Sequence, residues 1–66
     1  MLYRYGYVLF NDGESVEFEG NFAVNVEGNA LIVKEMDQYS NFGVPVAING
    51  YSLNCVKRYC FTNVRE

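Results

Sequence analysis

Residues 15–33 read SVEFEGNFAVNVEGNALIV, and apolar and polar side chains alternate along most of this stretch. Successive side chains of a β-strand point to opposite faces, so this alternation indicates strands with one buried face. Two Gly-Asn pairs interrupt it, at Gly20-Asn21 and Gly28-Asn29, and such pairs are typical of tight turns. The stretch therefore predicts three consecutive antiparallel strands, over residues 15–19, 22–27 and 30–35.

The segment before this stretch predicts a first strand. Residues Tyr3 to Phe10 are rich in aromatic and branched side chains, which favour strands. Asn11-Asp12-Gly13 follows, and Gly13 can adopt the positive φ that closes a three-residue hairpin loop. The chain therefore begins with a hairpin between the first two strands.

The segment after residue 35 predicts a loop and an edge strand. Residues 36–43 show neither a helical nor a strand period and contain Asp, Ser, Asn and Gly, so they form the longest predicted loop. A strand is predicted over residues 44–49. Pro45 places that strand at an edge of the sheet or with the amide side of the proline facing out, because proline cannot donate a hydrogen bond to a neighbouring strand.

The last part of the chain predicts one more reversal and one more strand. Asn49-Gly50 is a strong hairpin signal. Residues 51–54 fit a turn or a single 3₁₀ turn as well as they fit a strand, so the last strand is expected to begin between residues 52 and 55 and to end at Thr62.

The size of the chain limits the architecture. Area scaling for 66 residues and 7.6 kDa gives about 4,300 Å² exposed when folded and about 11,000 Å² unfolded. We therefore expect a single all-β domain over residues 1–66, an antiparallel meander of five to six short strands curled into a small barrel or a strongly bent sheet. This succession of strands resembles SH3-like and Sm-like small barrels in architecture alone.

The charges are few and unevenly placed. Residues 1–37 contain seven acidic and two basic side chains, a net of −5, and residues 38–66 contain one acidic and three basic side chains, a net of +2. A chain with so few basic side chains attracts the phosphates of nucleic acid only weakly, so we do not expect nucleic acid as a partner. The acidic side chains fit either ordinary solvated strand faces or a surface that binds a basic protein. The predicted acidic partner-binding face consists of Glu14, Glu17, Glu19 and Glu27.

The sequence lacks residues that catalytic and metal-binding sites require. The chain has no histidine to activate a serine or cysteine, so we expect no enzyme, no catalytic residue, no cofactor and no metal site. Cys55 and Cys60 lie about 16 Å apart if extended, too far for a disulfide, so two free thiols and a cytoplasmic location are predicted. The apolar runs are too short for a membrane span.

The aromatic side chains form the most informative pattern. On the first strand, Tyr3, Tyr5 and Tyr7 alternate with residues that include Val8 and Phe10, so both faces carry apolar bulk. This fits either a strand buried in a tightly curled sheet or a tyrosine-lined contact surface. The last strand also has two apolar faces, and a chain this small cannot cover them all, so we expect a homo-oligomer. The predicted aromatic interface consists of Tyr3, Tyr5, Tyr7, Tyr39 and Phe42.

These observations lead to three functional hypotheses. The first is a non-enzymatic, self-associating protein-binding module that occupies a site on a larger macromolecule, of the kind that phages or mobile elements use to inhibit host systems. The second is a small barrel that sequesters an anion or nucleotide at a subunit interface through Arg4, Lys57 and Arg58. The third is a structural subunit of an assembly.

Overall fold

The computed structural model describes residues 2–37 and 45–64, which form five strands and one 3₁₀ helix. All the strands lie in a single antiparallel sheet with the order β4-β3-β2-β1-β5. The predicted all-β class is confirmed. The elements are β1 (Tyr3–Phe10), β2 (Ser15–Glu27), β3 (Ala30–Met36), β4 (Pro45–Ser52), the 3₁₀ helix (Leu53–Cys55) and β5 (Val56–Thr62).

The connections form a meander only as far as β4, because β5 returns to the free side of β1. As expected from Pro45, β4 is an edge strand; β5 forms the other edge. Within the described ranges the two edges do not pair with each other, and the sheet is not closed into a barrel. Met36 pairs with Pro45, so the predicted loop begins later than residue 36. The rest of that loop, residues 38–43, lies outside the described part.

The prediction of two strands separated by a turn at Gly20-Asn21 is wrong, because β2 runs through both residues. Tyr5 pairs with Glu19 and Tyr3 with Phe22, so Gly20 and Asn21 together face the single residue between those tyrosines. This is a β-bulge. Gly20 has a φ of 145°, a backbone angle that residues other than glycine rarely adopt. The bulge lets the first half of β2 pair with β1 and the second half with β3.

The hairpin predicted at Asn49-Gly50 is also wrong, since Gly50 pairs with Ile32 inside β4. The chain turns instead through the 3₁₀ helix, one of the geometries expected for residues 51–54. The hydroxyl of Ser52 accepts a hydrogen bond from the Asn54 N–H at 3.3 Å and caps this helix. The last strand consequently begins at Val56, one residue after the expected range.

The core is small and depends on a bend of the sheet. Its buried side chains are Val8, Phe22, Leu31 and Val33. The Tyr51 ring on β4 lies 5.5 Å from the Phe10 ring on β1, measured between centroids, although two strands separate β4 from β1. Only a strongly bent sheet brings these rings together, and bending is the alternative to a closed barrel that the sequence predicts. We call the side that carries Val8 the core face and the opposite side the outer face.

At Gly6 of β1 a side chain from the neighbouring strand lies directly against the backbone. Gly6 pairs with Phe61 of β5, and the Phe61 ring lies directly over it. A β-carbon at position 6 would overlap that ring. The Phe61 ring also packs against the Phe18 ring, with 5.6 Å between their centroids. Because Gly6 has no side chain, there is room for these two rings on the core face.

We predict that Gly6→Ala lowers the free energy of unfolding by about 1–3 kcal/mol, because the Phe61 ring must move out of its packed position. Denaturant unfolding followed by circular dichroism measures the change. Gly50→Ala is the matched control, since a β-carbon there meets Ile32 only at an ordinary contact distance of 3.5 Å. Equal stability of the two variants would contradict the proposed role of Gly6.

Burial raises the pKa of the Tyr51 hydroxyl above its ordinary value of 10.0. The folded state then holds this proton more strongly than the unfolded chain does. Its contribution to the free energy of unfolding is therefore complete below about pH 10 and is lost as the pH rises through the folded pKa. Tyr51→Phe should show a shallower loss of stability above pH 10 than the parent chain, as measured by denaturant unfolding across the alkaline range. The exposed Tyr59→Phe is the control, and identical slopes for Tyr51→Phe and the parent would contradict the prediction.

Candidate functional site

The outer face of β2, β1 and β5 carries aligned rows of side chains, with β1 in the middle. Directly opposed residues in antiparallel strands point to the same side, with β-carbons about 5 Å apart. Tyr5 pairs with Glu19 on one side and Thr62 on the other, and Tyr7 pairs with Glu17 and Cys60. We call this surface the Tyr–Glu face, and it consists of Tyr5, Tyr7, Glu17, Glu19, Cys60 and Thr62.

The local sequence explains why these side chains share a face. On β1 the core face takes Gly6, Val8 and Phe10, which leaves Tyr5 and Tyr7 on the outer face. On β2, Val16 and Phe18 pack against the core, so the glutamates between and after them point outward. The alternation that builds the core therefore also builds the Tyr–Glu face.

The Tyr–Glu face is a shallow depression of about 470 Å³. The two tyrosines at its centre are half-buried although they point away from the core, and the two glutamates at its side are exposed. Within residues 2–37 and 45–64, neither the Glu17 nor the Glu19 carboxylate has a hydrogen-bond or ion-pair partner. The face thus combines rigid aromatic area with carboxylates available to a partner.

A basic side chain already lies beside this face. The Arg58 guanidinium lies 6.0 Å from the centre of the Tyr7 ring, within the range of a cation–π interaction. Arg58 is opposite Leu9, one row beyond Tyr7. The Tyr7 ring is therefore placed to accept a cation from this side, while Glu17 lies on its other flank.

The structure brings together four of the residues predicted from sequence and separates others. Tyr5, Tyr7, Glu17 and Glu19 are assembled in one surface. The remaining predicted acids lie elsewhere: Glu14 precedes β2, and Glu27 ends β2 on the far side of the bulge. The Tyr3 ring lies 6.2 Å from that of Phe61, which packs on the core face, and Tyr39 and Phe42 lie outside the described residues.

The three basic residues of the anion hypothesis do not converge within one chain. Arg58 lies opposite Leu9, and Arg4 is five positions from Leu9 along β1, about 16 Å away. Lys57 occupies the position where the register between β1 and β5 shifts, next to Arg58. A single subunit therefore offers this hypothesis only the adjacent pair Lys57-Arg58.

Two members of the Tyr–Glu face, Cys60 and Thr62, are absent from the sequence prediction. They reach the face because β5 pairs with β1, a contact between the two ends of the chain. Alternation along β5 places Arg58, Cys60 and Thr62 on one side, but nothing local indicates which strand lies next to them. Cys60 and Cys55 are both exposed and free, as predicted.

No known protein family, curated protein or solved structure matches this chain. In the described ranges, no helix is long and apolar enough to cross a membrane. The same residues contain no cluster of three or more cysteine and acidic side chains arranged to hold a metal ion.

Proposed function

We propose that this chain is a non-enzymatic protein-binding module that uses the Tyr–Glu face to occupy a basic site on a larger macromolecule. The observation that carries the proposal is the pairing of Tyr5 and Tyr7 with Glu19 and Glu17 on the sheet face turned away from the core. Tyrosine provides large contact area for little loss of conformational freedom, and it is enriched at protein interfaces. Self-association belongs to the same proposal, because the sheet leaves apolar side chains uncovered.

Charge defines the class of partner. Glu17 and Glu19 are two residues apart on one strand, which separates their β-carbons by about 6.6 Å, and neither is neutralised within the described chain. The whole molecule carries a net charge of −3. Both features favour a basic surface, and the long-range attraction accelerates encounter at low salt. We expect binding that weakens as ionic strength rises.

Occupation of a basic site suggests how such a module acts. Two carboxylates held on a rigid strand can cover lysine or arginine side chains that otherwise bind phosphate groups. The partner would then be a nucleic-acid-binding protein that this chain inhibits by competition. Inhibitors of this size are common among phage and mobile-element products, an origin that the small size of the chain suggests.

Charge reversal tests the proposal. The parent chain, immobilised, is used to capture its partner from an extract of the native host, and the captured protein is identified and titrated. Glu17→Lys combined with Glu19→Lys should weaken binding at least about tenfold, because two favourable ion pairs become repulsive. Glu27→Lys combined with Glu35→Lys is the matched control, with the same charge change at exposed positions outside the face, and it should retain binding. Equal losses in both double variants would overturn the assignment of the Tyr–Glu face.

The two free cysteines provide a footprint of the bound face in the unmodified chain. Cys60 belongs to the Tyr–Glu face, and Cys55 lies in the 3₁₀ helix outside it. With the captured partner bound, alkylation of Cys60 by iodoacetamide should slow at least about tenfold while Cys55 reacts at an unchanged rate. Mass spectrometry of the alkylated peptides measures both rates. Unchanged reactivity of Cys60 in the complex would show that the partner binds elsewhere.

A further inference from the structure

The depression on the Tyr–Glu face lies between two rows of cross-strand residues. Each row contains one tyrosine of β1 and one glutamate of β2: Tyr5 with Glu19, and Tyr7 with Glu17. The two rows are about 6.6 Å apart along the strands. Gly6, which lies between the two tyrosines, also lines the depression, and it can do so only with its backbone. We call this space, with β1 backbone as its floor and a tyrosine on each side, the inter-row slot.

Charge and shape together define what the inter-row slot accepts. At its β2 end lie the exposed carboxylates of Glu17 and Glu19, and neither has a hydrogen-bond or ion-pair partner within residues 2–37 and 45–64. The faces of tyrosine rings carry the negative part of the aromatic quadrupole and also attract cations. A flat group that contacts a ring on each side needs about 7 Å between the rings, close to the spacing of the rows. The slot therefore favours a planar cation.

The chain itself contains a guanidinium in contact with one of these rings. The Arg58 guanidinium lies 6.0 Å from the centre of the Tyr7 ring. Arg58 is opposite Leu9, one row beyond Tyr7, and it is not among the described residues that line the depression. Because both faces of an aromatic ring are electronegative, Tyr7 can hold this internal arginine and a second guanidinium at the same time. The internal contact is a model for the contact with a ligand.

The β5 end of the slot is apolar. The Thr62 hydroxyl accepts a hydrogen bond from the Val64 N–H at 3.1 Å, and both residues line the depression. Val64 is 69% exposed, so its side chain is available to a ligand. The methylenes of long basic side chains pack on apolar surface while the charged group makes polar contacts. From β2 to β5 the slot thus offers carboxylates, then aromatic rings, then apolar surface, the order in which an arginine side chain presents its guanidinium and its stem.

We infer that the inter-row slot binds an arginine side chain of the basic partner, in preference to lysine. The guanidinium lies between the rings of Tyr5 and Tyr7 and donates hydrogen bonds to the two carboxylates. This inference rests on the proposed function, and it specifies which side chain the Tyr–Glu face recognises.

The chemistry of the two basic side chains explains the preference. A guanidinium is planar and weakly hydrated, and its five N–H donors lie in one plane. Donors at the edge of that plane reach the carboxylates at the end of the slot while its two faces contact the rings. A lysine ammonium is compact and strongly hydrated and has no flat surface to stack on a ring. Lysine therefore satisfies the carboxylates of the slot but not its rings.

Two peptides of equal charge test the inference on the parent chain. The probes are a blocked hexapeptide of alternating arginine and glycine and the same peptide with lysine in place of arginine. Each is titrated into the ¹⁵N-labelled chain and followed by NMR chemical shifts. The arginine peptide should bind at least about threefold more tightly than the lysine peptide. The largest amide shifts should fall on the Tyr–Glu face, including Gly6. A third peptide with trimethyllysine, a cation of the same charge that is not planar, should bind less tightly than the arginine peptide.

One substitution separates stacking from charge. Tyr7→Val removes one ring and keeps both carboxylates, so the arginine and lysine peptides should bind this variant with the same dissociation constant. Tyr59→Val is the matched control, because Tyr59 is 41% exposed and pairs with the buried Val8 on the core face. This control should retain the preference for arginine. The measurements on the parent chain decide the inference even if a variant fails to fold.

Three results on the parent chain would overturn the arginine slot: equal affinity for the arginine and lysine peptides, tighter binding of the trimethyllysine peptide, or no binding at the Tyr–Glu face. None of them overturns the proposed function, because a basic partner can engage the two carboxylates without inserting an arginine. Failure of the proposed function shows separately, as equal losses of captured-partner binding in the two charge-reversed double variants.

Discussion

A five-stranded sheet of this length has two faces, and the chain contains too little protein to cover both. Bending resolves half of the difficulty, because it brings Tyr51 of β4 against Phe10 of β1 and encloses a small apolar core between them. The outer face stays uncovered within the described residues. The accessible surface is 4835 Å², compared with about 4,300 Å² for a compact monomer of this mass. The proposed functional surface lies where, within residues 2–37 and 45–64, the sheet has no second layer.

The bend has identifiable causes in the backbone. The bulge at Gly20-Asn21 increases the local twist of β2 and divides it between two partners, and the 3₁₀ helix carries the chain from the β4 edge to the β5 edge. Gly6 allows the Phe61 ring to lie against β1. These features determine which residues of β1, β2 and β5 are neighbours, so the Tyr–Glu face depends on the same bend as the core.

The sequence was sufficient for features set by local periodicity and insufficient for features set by pairing. Aromatic and branched side chains located β1, alternation located both halves of β2, and Pro45 identified an edge. Gly-Asn forms a turn at residues 28–29, yet the same dipeptide forms a bulge at residues 20–21 because β1 continues to pair on both sides of it. Likewise, Tyr7 and Glu17 were each recognisable as surface candidates, but their position opposite each other and beside Cys60 depends on the register between separate strands, which no local pattern encodes.

Alternation along β1 and along β2 before its bulge separates the side chains of the core from those of the Tyr–Glu face. Side chains that stabilise the fold lie on the core face, and those of the Tyr–Glu face lie on the opposite side of the same strands. Exchanging the outward residues changes the proposed binding surface while Val8, Val16 and Phe18 keep their packing. Under the proposed function, the binding specificity of such a chain can therefore change through its outward residues without redesign of the core.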